Sequence, residues 1–268
     1  MSVSVYKSNK IITTLIAMTF IIIFQCNRSQ AASLPKEIKL VSAPWVNGAR
    51  DDGTGIYWDI MRLVYEPIGI KVEYNTTDYA RSIALVKQGE MDAWLGSYLD
   101  EEENVIYPKW HFDADVVVAL YKKSPDFQWL GENSLAGKNI GWIKGYNYHK
   151  YIDTQFNNKE FKTREEAIEL LENGQLDFFL EAQIEVKDEI KKGSLDSTKF
   201  EYNTLMNLNI FPAFSDNARG LQLQKIFDAR FAKLLKSGEI KKLFDKWNWP
   251  IYPFTILCNY ASTSMVSC

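Results

Sequence analysis

The segment GEMDAWLG, Gly89 to Gly96, is echoed 85 residues later by GQLDFFLE, Gly174 to Glu181. Each copy follows a helical pattern, SIALVKQ in one case and AIELLEN in the other, and continues as a short apolar run. In both, the glycine can take the left-handed conformation that stops a helix. Asp92 and Asp177 stand at the same offset beyond it, where a short acidic side chain can hydrogen-bond backbone around the turn. The apolar residues that follow read as a buried parallel strand. A helix, a stop and a buried strand repeated in register point to two similar α/β units. Each presents a strand's carboxyl end, where open sheets bind ligands.

The surrounding pattern agrees. EIKLVSA (37–43) reads as a strand, and Tyr57, Ile60, Met61, Val64, Tyr65 and Ile68 recur at helical spacing before Gly69. KVEYNTT is a second strand, Asp78 N-caps a helix over 79–88, and MDAWLGS is a third strand. After VVVALYKK (116–123) the order restarts. KNIGWIKG (138–145) is a strand, and a helix is expected near 147–154. Thr163 and Glu166 form a capping box, LDFFLEA is a strand, and 182–192 is a helix. MNLNIFPAF (206–214) reads as extended. Two amphipathic helices follow, carrying Leu223, Phe227 and Phe231, then Ile240, Leu243, Phe244 and Trp247.

The first 31 residues differ from the rest. Lys7 and Lys10 precede IITTLIAMTFIIIF, a 14-residue uncharged run, and Ser29 and Ala31 supply small residues for a cut after Ala31. Residues 1–31 therefore read as a secretory signal peptide, with an uncleaved anchor as the alternative. Beyond it the cysteines are Cys258 and Cys268, both in the tail 255–268, where they could pair outside the core. The chain is 46% hydrophobic, enough for a substantial core, and its formal net charge is −3. No block of Lys and Arg points to nucleic acid or to an anionic membrane surface.

DDGTGIYWDI, SIALVKQGEMDAWLGSY, YPKWHFDADVVVALYKK, LAGKNIGWIKGYNY, LENGQLDFFLEA and the closing WNWPIYPF occur in a specific order and spacing. Over about residues 36–254 the chain resembles the extracytoplasmic solute-binding proteins of family 3, with the type II periplasmic binding protein fold. The resemblance implies two similar α/β lobes around a ligand cleft. The first lobe is discontinuous, 32–115 plus 209–254, and the second is 116–208. It further implies a monomeric periplasmic protein without cofactor or metal. Such a protein closes by a hinge on a small polar, amino-acid-like solute and delivers it to an ABC permease in the inner membrane. Members that bind α-amino acids clamp the α-carboxylate with an Arg, but here that stretch is Asp100-Glu101-Glu102-Glu103. They hold the ammonium with an Asp at the position of Ala182, which here has Glu181 beside it. A less characterised branch carries an aromatic-x-Arg, matched here by Tyr79-Ala80-Arg81.

Six residues are candidate ligand contacts. Arg81 stands at a helix start, where a cation is unfavourable without a partner. That partner is either an anionic ligand group or a surface acid such as Glu101 or Glu102. Trp45 and Tyr98 follow strands and offer aromatic walls, whereas Trp58 and Trp94 read as core. Gly145 and Tyr146 open the helix expected near 147–154, whose free backbone N–H groups could hold an anion. Glu181 is the acid for a ligand ammonium, its alternative being a solvated loop acid. Glu101 to Glu103 read as a solvated charge run.

No catalytic residue is assigned. The chain has two histidines, His111 and His149, and no HExxH, G-x-S-x-G or phosphate-loop pattern. The rival readings are a periplasmic enzyme on the same fold, dehydratase-like with a cleft acid as general acid, and a ligand sensor for a membrane receptor.

Overall fold

The computed structural model describes residues 33–250 and 252–254. The chain divides into a unit Met1–Leu34 and a unit Pro35–Cys268, and every strand and helix among the described residues belongs to the second. The expected signal peptide, the Cys258–Cys268 pairing and the tail 255–268 lie outside the described residues.

The first half of the fold runs β1 (Glu37–Ser42), α1 (Ile56–Tyr65), β2 (Lys71–Thr76), α2 (Tyr79–Lys87) and β3 (Ala93–Tyr98). The apolar stripe foreseen for α1 is its buried face, with Trp58, Ile60, Met61, Val64 and Tyr65 wholly enclosed. Pro67 tightens its last turn into a 3₁₀ segment that ends at Gly69, φ 84°. Asp78 caps α2 through the Arg81 N–H at 2.9 Å. A short β4 (Val105–Ile106) leads to β5 (Asp113–Lys122).

The second half repeats the order with β6 (Asn139–Ile143), β7 (Asn157–Phe161), α3 (Arg164–Glu172), β8 (Phe178–Ala182) and α4 (Gln183–Lys192). Thr163 accepts the Glu166 N–H at 3.3 Å, and the Glu166 carboxylate reaches back to the Lys162 N–H at 3.1 Å. The helix expected near 147–154 is a single 3₁₀ turn, Tyr148–Tyr151. Asn147 before it is left-handed, and the enclosed Tyr148 ring packs on Tyr98, Trp142 and Tyr146. Aromatic packing outweighs helix propensity in so short a segment.

The chain then returns through β9 (Phe200–Ser215), and α5 (Ala218–Lys236) and α6 (Glu239–Lys246) close the fold. Among the described residues one sheet runs β2-β1-β3-β9-β5-β8-β6-β7, with β4 beside β9. Its two outer thirds, β2-β1-β3 and β8-β6-β7, are parallel and similarly wound. Between them β5 and β9 pair antiparallel from Asp113↔Ile210 to Lys122↔Phe200, with a bulge opposite Val117/Val118. The chain thus passes between its halves along two adjacent strands, and a bulge of this kind bends a ribbon. The extended segment expected at 206–214 is the end of this longer strand.

The repeated corner is the same structure twice. Gly89 and Gly174 have φ of 76° and 71°. Asp92 donates its N–H to Lys39 O and accepts the Lys39 N–H on its carboxylate, both at 2.8 Å. Asp177 does the same with Asn139, at 2.9 and 2.8 Å. Each aspartate thereby starts the parallel pairing of its strand with its neighbour, Leu40↔Ala93 and Ile140↔Phe178. β3 and β8 are buried along their length, and their carboxyl ends face the same cleft.

Candidate functional site

The cleft wall from the first half is built on one close approach. The Trp45 ring lies so near Gly96 that a Cβ there would sit 1.8 Å from it, and Gly96 has φ 99°. Only glycine meets both conditions. Trp45 also meets Tyr57 and Tyr79 at ring distances of 5.9 and 5.8 Å. At the end of β3 the Tyr98 hydroxyl donates to Asp115 Oδ2 at 2.8 Å and lies 3.3 Å from the Tyr148 hydroxyl.

The second half contributes Tyr146 and Tyr148 after β6, Glu181 near the end of β8, and Glu185 in the first turn of α4. Arg164 is the first residue of α3, where the helix dipole disfavours a cation. Two carboxylates compensate: Arg164 Nε donates to Glu181 Oε2 at 2.8 Å, and Nη2 lies 3.3 Å from Glu185 Oε2. The halves meet across the cleft. Trp45 Nε1 donates to the Tyr146 hydroxyl at 3.4 Å, and the Val46 N–H donates to Glu185 Oε1 at 3.1 Å. Lys150 and Tyr151 donate to the carbonyls of Glu101 and Leu99.

These groups enclose a cavity of about 30 Å³, walled by Trp45, Tyr79, Tyr98, Tyr146, Tyr148 and Trp249, with Asp115, Glu181 and Glu185 among its polar lining. That volume is on the scale of one water molecule. Burial pushes the Asp115 carboxyl up to about 6, against the Tyr98 hydrogen bond, with Glu185 adding to the rise. Burial likewise raises Glu185 to about 6, opposed by Arg164 and reinforced by Glu181. Glu181 is also raised by burial, with Arg164 opposing. Beneath this layer Asp113 accepts from the Tyr57 hydroxyl at 2.8 Å and from Trp249 Nε1 at 3.1 Å. Enclosure and the neighbouring Asp115 push it up to about 8.

Of the six candidates named from sequence, Trp45, Tyr98, Tyr146 and Glu181 line the cavity. Gly145 adjoins it without lining it. The Gly145 N–H donates to Glu160 Oε1 at 3.4 Å and the Tyr146 N–H to Ile143 O at 3.1 Å, so these amides are not a free anion nest. Arg81 is exposed on α2 and outside the cavity lining. Glu101 is not a solvated acid. Asp100, at φ 59°, turns the chain inward, and Glu101 is wholly buried. Its Oε2 accepts from the Tyr79 hydroxyl at 2.5 Å, Ser97 Oγ at 2.9 Å and the Tyr98 N–H at 3.3 Å. Burial raises it to about 8. Glu102 pairs with Lys87 at 2.7 Å. Trp58 and Trp94 are core, fully enclosed.

Sequence reasoning passed over Asp115, Glu185, Arg164 and Tyr148. Two signals were present. The dipole argument applied to Arg81 applies equally to Arg164, which follows the N-cap Thr163. Asp113 and Asp115 alternate at the start of an otherwise apolar strand, which puts both acids on one face.

The family model for bacterial extracellular solute-binding proteins, family 3, matches residues 42–250. No curated protein sequence matches the chain. Solved structures share its fold. A substrate-binding protein of an ABC uptake transporter from Streptococcus pneumoniae with bound histidine is 19% identical, with a TM-score of 0.61, covering 79% of this chain and 92% of that one. A histidine kinase sensor domain with similarity to periplasmic binding proteins is 18% identical, with a TM-score of 0.65 and coverage of 80% and 96%. The ancestral amino-acid-binding protein AncCDT-1, a precursor of cyclohexadienyl dehydratase, is 14% identical, with a TM-score of 0.60 and coverage of 79% and 95%. With more than half of its length matched by the family model, the chain belongs to the bacterial extracellular solute-binding proteins, family 3.

Proposed function

We propose that this protein captures a small polar, amino-acid-like solute outside the cytoplasm by closing its two halves, and hands it to an ABC permease. The observation that carries this reading is the convergence of both halves on one cavity. Trp45 meets Tyr146, Val46 meets Glu185 and Tyr98 meets Tyr148, while the covalent connections between the halves run through β5 and β9. A ligand seated among these groups adds contacts to both halves and shifts the equilibrium toward the closed arrangement. Trp45, Tyr98, Tyr146 and Glu181 are its proposed contacts. Relatives described as binding histidine, glutamate or arginine support the class of solute.

One observation favours an enzymatic reading: carboxyls in the cavity with pKa near 6 have the acidity of general acids. The test separates the two. Calorimetry with a panel of amino acids and their decarboxylated amines, paired with small-angle scattering, should show one-site saturation by at least one member and a more compact protein, with the solute recovered unchanged. Recovery of a dehydrated or otherwise converted product would replace binding by catalysis.

A further inference from the structure

We infer that the cavity is built for an organic cation that carries no carboxylate, an aliphatic or heteroaromatic amine rather than an α-amino acid. This rests on the solute-binding reading and narrows its ligand class. A carboxylate needs cationic or N–H donors aimed at it. Among the described residues no Lys, Arg or His lines the cavity. The nearby guanidinium, Arg164, is held by Glu181 and Glu185 and also reaches the Tyr146 hydroxyl at 3.5 Å.

Most other side-chain donors of the wall are engaged. Trp45 Nε1 bonds Tyr146, Trp249 Nε1 and the Tyr57 hydroxyl bond Asp113, and the Tyr79 hydroxyl bonds Glu101. The Tyr98 and Ala182 N–H groups go to the carboxylates of Glu101 and Glu181. A ligand carboxylate would face three acids, with only the Tyr146 hydroxyl proton and the uncapped first N–H groups of α4, among the described residues, to receive it.

A cation meets the opposite situation. Glu181 and Glu185 share the Arg164 guanidinium while Asp115 accepts from the Tyr98 hydroxyl, so the ionised cluster carries an excess of negative charge inside aromatic walls. Ring faces attract ammonium and guanidinium groups, more strongly once water is excluded. Among the described residues no three His, Cys, Asp or Glu side chains are placed to share a metal ion, so the acids do not form a metal cage. Past Asp115, Ile184 and Trp249 the cavity adjoins a second one of about 60 Å³, which faces Asp113 and also Lys187, so the cationic group belongs in the first cavity.

The test is calorimetric titration of the purified protein with matched pairs: arginine and agmatine, lysine and cadaverine, histidine and histamine, with glutamate as the anionic control. At least one amine should bind at least ten-fold tighter than its parent amino acid. Asp115→Asn, which leaves the Arg164 pairs intact, should weaken that amine about ten-fold, and Glu185→Gln should do the same. Tighter binding of the parent amino acids, binding of glutamate, or no binding by any amine overturns the inference. The broader reading is decided separately by native mass spectrometry of the freshly isolated protein. A retained anionic or zwitterionic molecule keeps solute capture and removes the cation. No retained molecule, together with no saturable binding by any probe, removes both.

Discussion

Arg164 donates its Nε–H to Glu181 Oε2 at 2.8 Å, with the Glu181 side chain 1% exposed. Glu185, 6% exposed, sits 3.3 Å from the same guanidinium. Removing the cation leaves two enclosed carboxyls without their counter-charge. Arg164→Met should therefore cost about 3–5 kcal/mol of stability at pH 8. The loss should shrink at pH 5, because Glu185, raised to about 6, then holds a proton and no longer needs the cation. Urea denaturation at both pH values measures it, and an equal loss at the two would contradict this account.

The two copies of the corner are unequal in energy. Asp92 bonds the Lys39 N–H and also takes Arg219 as a fork, at 2.6 and 2.9 Å. Asp177 bonds the Asn139 N–H, with Lys138 4.0 Å away on the surface. Asp92→Ala should cost about 2–4 kcal/mol and Asp177→Ala about 1 kcal/mol. Chemical denaturation of the two variants side by side decides it. A larger loss at Asp177 would mean that the Arg219 fork contributes nothing.

Gly96 and Gly137 both have positive φ, 99° and 70°, but in different surroundings. An added Cβ at Gly137 meets nothing within 4 Å, whereas at Gly96 it overlaps the Trp45 ring. Gly137→Ala should cost about 1 kcal/mol from backbone strain alone. Gly96→Ala should cost about 2–4 kcal/mol and abolish solute binding, because Trp45 must leave the cavity wall. Near-UV circular dichroism and calorimetry read the displacement. Normal binding by Gly96→Ala would remove Trp45 from the site.

Asp113 sets a pH dependence whose sign is fixed by its enclosure among Tyr57, Trp249 and Asp115. Its carboxyl is raised from 3.8 to about 8. The unfolded chain therefore releases this proton first, and stability falls as pH rises from about 4 to about 8. Asp113→Asn has no proton to release. Relative to wild type it should gain about 1–3 kcal/mol between pH 5 and pH 9, measured by urea denaturation. A constant difference across that range would show that Asp113 ionises normally.

Much of the architecture was legible because it is local. The stripe on α1, the Asp78 and Thr163 caps and the glycine stops depend on residues within a turn or two of one another. So does the match of Gly89-to-Asp92 with Gly174-to-Asp177. Periodicity could not show that β9 runs on from Phe200 to Ser215, because the residues before Met206 alternate too little to read as strand. Nor could it turn Glu101 inward. Three acidic letters in a row read as solvated until a left-handed Asp100 delivers one of them to Tyr79 and Ser97.

By itself, then, the sequence determined two α/β halves, the strands whose ends face a cleft, and the aromatic and acidic character of the residues there. Tertiary structure decided the pairings. Arg164, Glu181 and Glu185 come from a helix start, a strand end and the next helix, and only the winding of β6, β7 and β8 brings them within 3.3 Å or less. It also placed Arg81 on the surface and put Arg164 behind the cavity wall. The physical reason is that a buried charge is tolerable only beside its counter-charge. That distance is set by sheet register and helix packing, which no local spacing encodes.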